Sequence, residues 1–183
     1  MSYSSFSDAK DEKLPRKESQ DSKKAPGVRV VIRKKSTGKI RRRVLDDEGF
    51  IRRVASVCVN EDESRVLLIS SKKDSKVWLI PGGGIEESEE EFAAATREAW
   101  EEAGVRGQVG RRLGIFESVH PTGKKKHRTS AFVYVVSHQE DDFPEAYLGR
   151  KRKWFTVDDA SLILSRFRPL QRPYIDRLRT KEK

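Results

Sequence analysis

The chain has 183 residues, with 39 Lys and Arg against 29 Asp and Glu, a formal charge of +10, and 35% hydrophobic residues. That length suits one domain plus a tail rather than two full domains. The longest purely apolar run, Ala131 to Val136, is far shorter than the roughly 20 residues of a spanning helix, so no membrane span is expected.

The N-terminus carries no apolar leader, and the single cysteine, Cys58, excludes an internal disulfide and a cysteine-based zinc site. A reducing compartment is expected, the cytoplasm, with the nucleus as a second location. The charge is uneven. Residues 1 to 43 hold 14 basic and 5 acidic residues, whereas residues 44 to 183 hold 25 basic and 24 acidic. Eight of those 24 acids fall between Glu86 and Glu102, beside one Arg. An acidic spot in a basic field fits a carboxylate-held metal next to a polyanion held by Lys and Arg.

Taken in chain order, residues 1 to 42 form a basic extension, expected to be disordered because its first 28 residues lack apolar periodicity. Arg33 to Arg43 within and beside it reads as a solvated basic arm, a nuclear address or a nucleic-acid contact. The domain is expected to fill 43 to 183. Strands are predicted at Phe50 to Val59, Val66 to Ser70, Val77 to Ile80, Leu113 to Val119, Ser130 to Ser137 and Lys153 to Thr156. Asn60 to Ser64 reads as a hairpin turn. Phe92, Ala95, Ala99 and Ala103 at helical spacing predict a helix with Gly104 as its C-terminal cap and an acidic opposite face. Two shorter helices are predicted at Asp158 to Ser165 and Gln171 to Arg179, giving a mixed sheet with helices on both sides.

Chemistry concentrates between Pro81 and Val105. Glu98, Glu101 and Glu102 stand at i, i+3 and i+4, so a helix projects all three from one side, where they repel unless a hard divalent cation intervenes. A solvated acidic helix face is the ordinary alternative. Against it stands the triplet Gly82-Gly83-Gly84, which follows a buried strand and offers backbone that no side chain shields.

Gly83, five residues, Glu89, seven residues, then Arg97-Glu98-Ala99-Trp100-Glu101-Glu102-Ala103-Gly104-Val105 resembles the Nudix hydrolase signature at every defined position. With Trp78 to Gly84, Gly114 to Glu117, Lys126 to Thr129 and Gly149 to Phe155, the chain is similar over about residues 43 to 180 to the diphosphoinositol polyphosphate phosphohydrolases. The extension and the loop around His120 to Gly123 depart from that pattern. The resemblance implies an α/β fold, the Nudix α/β/α sandwich with a mixed sheet. It also implies hydrolysis of the β-phosphate of diphosphoinositol polyphosphates, with diadenosine polyphosphates as secondary substrates.

By the same resemblance, the Gly82 carbonyl with Glu98 and Glu102 would bind Mg²⁺, or Mn²⁺, and Glu101 would be the catalytic base. Glu89 and Arg97 would be structural. Arg43, Arg52, Arg53, Ser71, Lys73, Gly83, Gly84, Lys126, His127, Arg150 and Arg168 would contact substrate, with Lys125 a further candidate. Arg suits this task because its forked donors match phosphate oxygens. Trp78 and Trp154 read as core. Two other readings stay open: a decapping or dinucleoside polyphosphate hydrolase whose basic arm holds RNA, and a non-catalytic polyanion-binding domain. A monomer is expected.

Overall fold

The computed structural model describes residues 29–34, 40–123 and 125–180. Among the described residues, nine strands form one mixed sheet: β1 (Arg29–Lys34), β2 (Ile40–Leu45), β3 (Ile51–Val59), β4 (Arg65–Ser70), β5 (Trp78–Leu79), β6 (Gly82–Gly84), β7 (Val105–Val119), β8 (Lys126–Gln139) and β9 (Arg152–Thr156). Helix α1 (Glu91–Ala103) lies between β6 and β7, and α2 (Val157–Phe167) and α3 (Arg172–Arg179) follow β9. Strand β3 is the hub. It runs parallel to β8 over its whole length and antiparallel to β6 through Arg53↔Gly84, Val54↔Gly83 and Ala55↔Gly82.

Alternation along the strands divides the core in two. Ala55, Val57 and Val59 of β3, Val66 and Leu68 of β4, and Ala131 and Val133 of β8 bury against Ala160, Leu164, Tyr174, Ile175 and Leu178 of α2 and α3. The intervening residues Val54, Cys58, Leu67, Ile69, Phe132 and Tyr134 meet Ala94, Ala95, Ala99 and Ala103 of α1 on the opposite face. This period of two, covered on both sides, makes the α/β/α sandwich, and each fully buried aliphatic side chain contributes about 1.5–3 kcal/mol. Trp78 and Trp154 pack at its margins, Trp78 edge-on to Phe155 at 5.3 Å and Trp154 against the α1-side cluster.

Helix α1 ends as its sequence requires: Gly104 has φ 61° and returns its N–H to the Trp100 carbonyl at 2.9 Å. Its buried face differs from the expected one. Phe92 is 56% exposed, tilted over Phe132, and Glu98 takes an inward position at 3% exposure. Small alanines let the helix sit close to the sheet, and Ser56 Oγ donates to the Ala95 carbonyl at 2.8 Å.

Other differences have local causes. Strand β7 begins at Val105 rather than Leu113, and its register shifts at Gly107, Arg112 and Gly114 hide the alternation that a regular strand would show. Strand β8 begins at Lys126, bringing the Lys126-His127-Arg128 run into the sheet. The glycine triplet is itself a strand paired with β3, and its closeness to β3 requires glycine, because a Cβ on Gly82 would meet the Val54 carbonyl at 2.4 Å. In the extension, β1 and β2 pair from Arg29↔Leu45 to Lys34↔Ile40, so the boundary expected at residue 42 falls inside β2. The β-branched stretch Val30-Val31-Ile32 supplies the strand character that the charge count masks. Residues 1–28 and 35–39 of the expected tail lie outside the described residues.

Candidate active site

Strand β6 and helix α1 build the site together. Gly83 faces the Glu98 carboxylate so closely that a Cβ there would stand 2.0 Å from Glu98 Oε1. Glycine is therefore what lets a buried carboxylate reach the strand backbone. One turn on, Glu102 Oε2 accepts from the Gly82 N–H at 2.9 Å, and its Oε1 accepts from Arg150 Nη2 at 3.0 Å. Burial pushes the Glu102 carboxyl up to about 7; the Gly82 N–H works against that shift and the charge on Glu98 adds to it.

Arg97 organises the approach to α1. Its guanidinium donates to Glu89 Oε1 at 2.6 Å and Oε2 at 2.9 Å, to the Gly84 carbonyl at 3.1 Å, and to Glu98 Oε1 at 2.9 Å. Burial raises the Glu89 carboxyl, but the bonds from Arg97 and from the Glu86 N–H outweigh it and hold Glu89 below its ordinary range. Glu101 lies 3.5 Å from Arg97 Nη1 with its side chain 33% exposed.

The three carboxylates expected on one side of α1 thus take three surroundings. Glu98 turns inward to Arg97, Glu102 is held by Gly82 and Arg150, and Glu101 is the most exposed of the three. Among the described residues, no three His, Cys, Asp or Glu side chains gather into a metal cage. The donors present are two carboxylates beside a glycine backbone. Their mutual repulsion, visible in Glu102, makes this hard oxygen set compatible with a divalent cation that keeps waters and substrate oxygens as further ligands.

Cations surround the same backbone. Arg43 lies over Gly84, where a Cβ would meet its Nη1 at 1.8 Å, and Arg53 Nη2 donates to the Gly82 carbonyl at 3.3 Å. Arg53, Gly82 and Arg168 line one cavity with Leu79, Ile80, Phe167, Pro169, Leu170 and Gln171. Its wall is fixed by the Gln171 side chain, which accepts from the Ile80 N–H at 3.0 Å and donates to the Ile80 carbonyl at 3.4 Å. Arg52 pairs with Glu91 at 3.0 Å. His127 stands level with Ile51 at the start of β8, after exposed Lys125 and Lys126, the latter 5.3 Å over the Phe50 ring. Ser71 and exposed Lys73 occupy the β4–β5 turn, where Ser71 Oγ accepts from the Lys73 N–H at 3.3 Å.

Arg150, expected to contact substrate, lies among carboxylates at the inner edge of the site. Its side chain is 3% exposed, drawn inward by Glu145 and Glu102 and by the Ser70 carbonyl. Glu145, Glu91 and Gln171 were not singled out by motif or periodicity. They stand in loops or at a helix end, where sequence spacing carries no signal of a long-range partner.

A NUDIX domain matches residues 50–178. The chain is 44% identical over 139 residues to diphosphoinositol polyphosphate phosphohydrolase 2 of Rattus norvegicus, covering 75% of each chain. It is 42% identical to the 3-alpha phosphohydrolase of Mus musculus, covering 75% of this chain and 83% of that protein. Among solved structures, a NUDIX hydrolase from Nitrosomonas europaea superposes with a TM-score of 0.57 at 20% identity, over 70% of this chain and 87% of that one. A MutT protein from Methanosarcina mazei Go1 gives 0.53 at 22% identity, over 71% and 93%. With the signature of β6 and α1 in place and the fold shared, the chain belongs to the Nudix family, in the branch that contains the diphosphoinositol polyphosphate phosphohydrolases.

Proposed function

We propose that the protein is a divalent-metal-dependent hydrolase that removes the β-phosphate from diphosphoinositol polyphosphates, releasing inorganic phosphate and leaving an inositol polyphosphate. The observation that carries this reading is the meeting at β6 of buried Glu98 and half-buried Glu102 on one side with Arg43 and Arg53 on the other. A phosphoanhydride surrounded by further phosphates needs that pairing: an acidic pole for the metal and cations for the remaining anionic groups.

In this proposal Glu98, Glu102 and the Gly82 carbonyl hold Mg²⁺, with Mn²⁺ as a substitute. The bound metal would supply charge neutralisation on phosphoryl oxygens and a lowered pKa for water. Gly83 and Gly84 keep the backbone open to the substrate. Glu101, the most exposed of the three carboxylates, is assigned as the base that receives the proton of the attacking water. Arg97 and Glu89 hold the loop to the helix. Arg43, Arg52, Arg53, Lys73, Lys125, Lys126, His127 and Arg168 bind the non-reacting phosphates, with Ser71 shaping the turn that presents Lys73. A monomer resident in cytoplasm or nucleus completes the proposal. Among the described residues, no helix is long and apolar enough to cross a membrane.

A specific observation favours dinucleoside polyphosphates as further substrates. Phe167 at 37% and Leu170 at 67% exposure wall the cavity that Arg53 and Arg168 share, and a nucleobase uses such a surface whereas a phosphorylated inositol ring does not. The test is phosphate release with Mg²⁺ from a diphosphoinositol pentakisphosphate, diadenosine hexaphosphate and capped RNA at equal concentration. The inositol substrate is expected to turn over fastest. Preference for capped RNA would replace this reading by the decapping one, and no turnover of any substrate would leave a polyanion-binding domain.

A further inference from the structure

A row of alternating charges runs inward from the surface to Glu102. Lys72, 40% exposed, pairs with Glu145; Glu145 accepts two donors of Arg150; and Arg150 reaches Glu102 Oε1 at 3.0 Å. The inner members are enclosed, with side-chain exposures of 10% for Glu145 and 3% for Arg150. The backbone fastens the same loop to the helix. The Glu145 N–H donates to the Glu101 carbonyl at 3.1 Å, and the Arg150 N–H donates to the Glu145 carbonyl at 3.2 Å.

Arg150 and the Gly82 N–H each take one oxygen of Glu102, so the carboxylate is fixed in orientation from both sides. A lone arginine in that position would carry a cost for metal binding, because a full positive charge beside a carboxylate ligand repels an incoming dication. Glu145 removes the cost. We propose that Glu145 is a positioning residue that neutralises Arg150, so that Arg150 orients Glu102 by hydrogen bonding without opposing divalent-cation binding there. The proposal rests on the reading that Glu102 is a metal ligand. Lys72 tempers the device from outside by withdrawing part of the Glu145 charge.

The experiment measures binding of Mn²⁺ alone by electron paramagnetic resonance, without substrate, to the full chain and to Glu145→Gln, Lys72→Met and Glu102→Gln. Glu145→Gln keeps the shape and removes the charge, and weakening of Mn²⁺ binding by about 10- to 100-fold is expected, the usual range for a group behind a metal ligand. The metal concentration for half-maximal hydrolysis should rise by a similar factor while kcat at saturating metal is largely kept. Lys72→Met should shift binding the opposite way, since it frees charge on Glu145. Unchanged Mn²⁺ affinity in Glu145→Gln, with only a lower Tm, would overturn the proposal. If that variant does not fold, Lys72→Met decides: tighter binding supports the proposal, and unchanged or weaker binding overturns it. Glu102→Gln separates the two readings, because unaltered Mn²⁺ affinity in that variant would refute the ligand assignment itself.

Discussion

The two faces of the sheet are made of the same strands and yet differ in kind. Toward α2 and α3 the central cluster is chiefly apolar, from Val57 and Leu68 to Leu164 and Ile175, with buried Ser161 and a Tyr174–Thr129 hydrogen bond as its polar members. Toward α1, the burial includes Ser56, Glu98 and, at the end of the helix, Arg150 and Glu145. The face toward α2 and α3 depends mainly on close packing. The α1 face keeps charges where water is scarce, and each of them needs a partner of opposite sign or a backbone donor. Stability and chemistry are thus separated by the pleat of single strands, residue by residue.

The comparison breaks most sharply at Glu98 and Glu102. Glu98→Gln or Glu102→Gln should lower kcat/KM by about a hundredfold or more, several kcal/mol of lost charge stabilisation. The Tm of Glu102→Gln should not fall, because burial already disfavours the charge that this change removes. A smaller loss of turnover is expected for Gly83→Ala. Its Cβ would displace the buried Glu98 carboxylate from its bond with Arg97, so steady-state kinetics should register a defect and thermal unfolding a lower Tm. On the opposite face the pattern should invert. Leu164→Ala should cost about 2–5 kcal/mol in urea unfolding, with activity per folded molecule unchanged well below its Tm.

The smallest effect should come from Glu89. Its folded-state pKa lies below the ordinary value of 4.5, so its contribution to stability is present above that value and is lost as the pH falls through the folded pKa. Urea midpoints followed downward from pH 6 should fall less for Glu89→Gln than for the parent, from a lower starting point. Equal slopes would mean that the Glu89–Arg97 pair adds nothing to folding.

Local pattern makes some of this legible without coordinates. The alternation of β3 and β8, the alanine spacing of α1 and the glycine at its end each reflect a period or a backbone angle that neighbouring residues impose on one another. The spacing of Gly83, Glu89, Arg97, Glu98 and Glu102 belongs to the same class, since one strand, one loop and one helix turn carry it. Phe92 shows where such reasoning stops. Its spacing joins it to the alanines, but the helix rests on the sheet through residues too small to admit a ring, so Glu98 rather than Phe92 faces inward.

The sequence by itself determined a mixed sheet with helices on both sides, the acidic helix beside a glycine triplet and the surplus of cations, because these follow from periodicity, spacing and composition; the resemblance to the Nudix hydrolases implied the sandwich. Only the tertiary structure decided which charge meets which. Arg150 turns inward because Glu145 and Glu102 lie within hydrogen-bonding reach, while Arg43 and Arg53 come to the glycine strand through β2 and β3. Ion pairing between segments depends on distances across the fold, to which neither the identity of a residue nor its place in the chain is a guide.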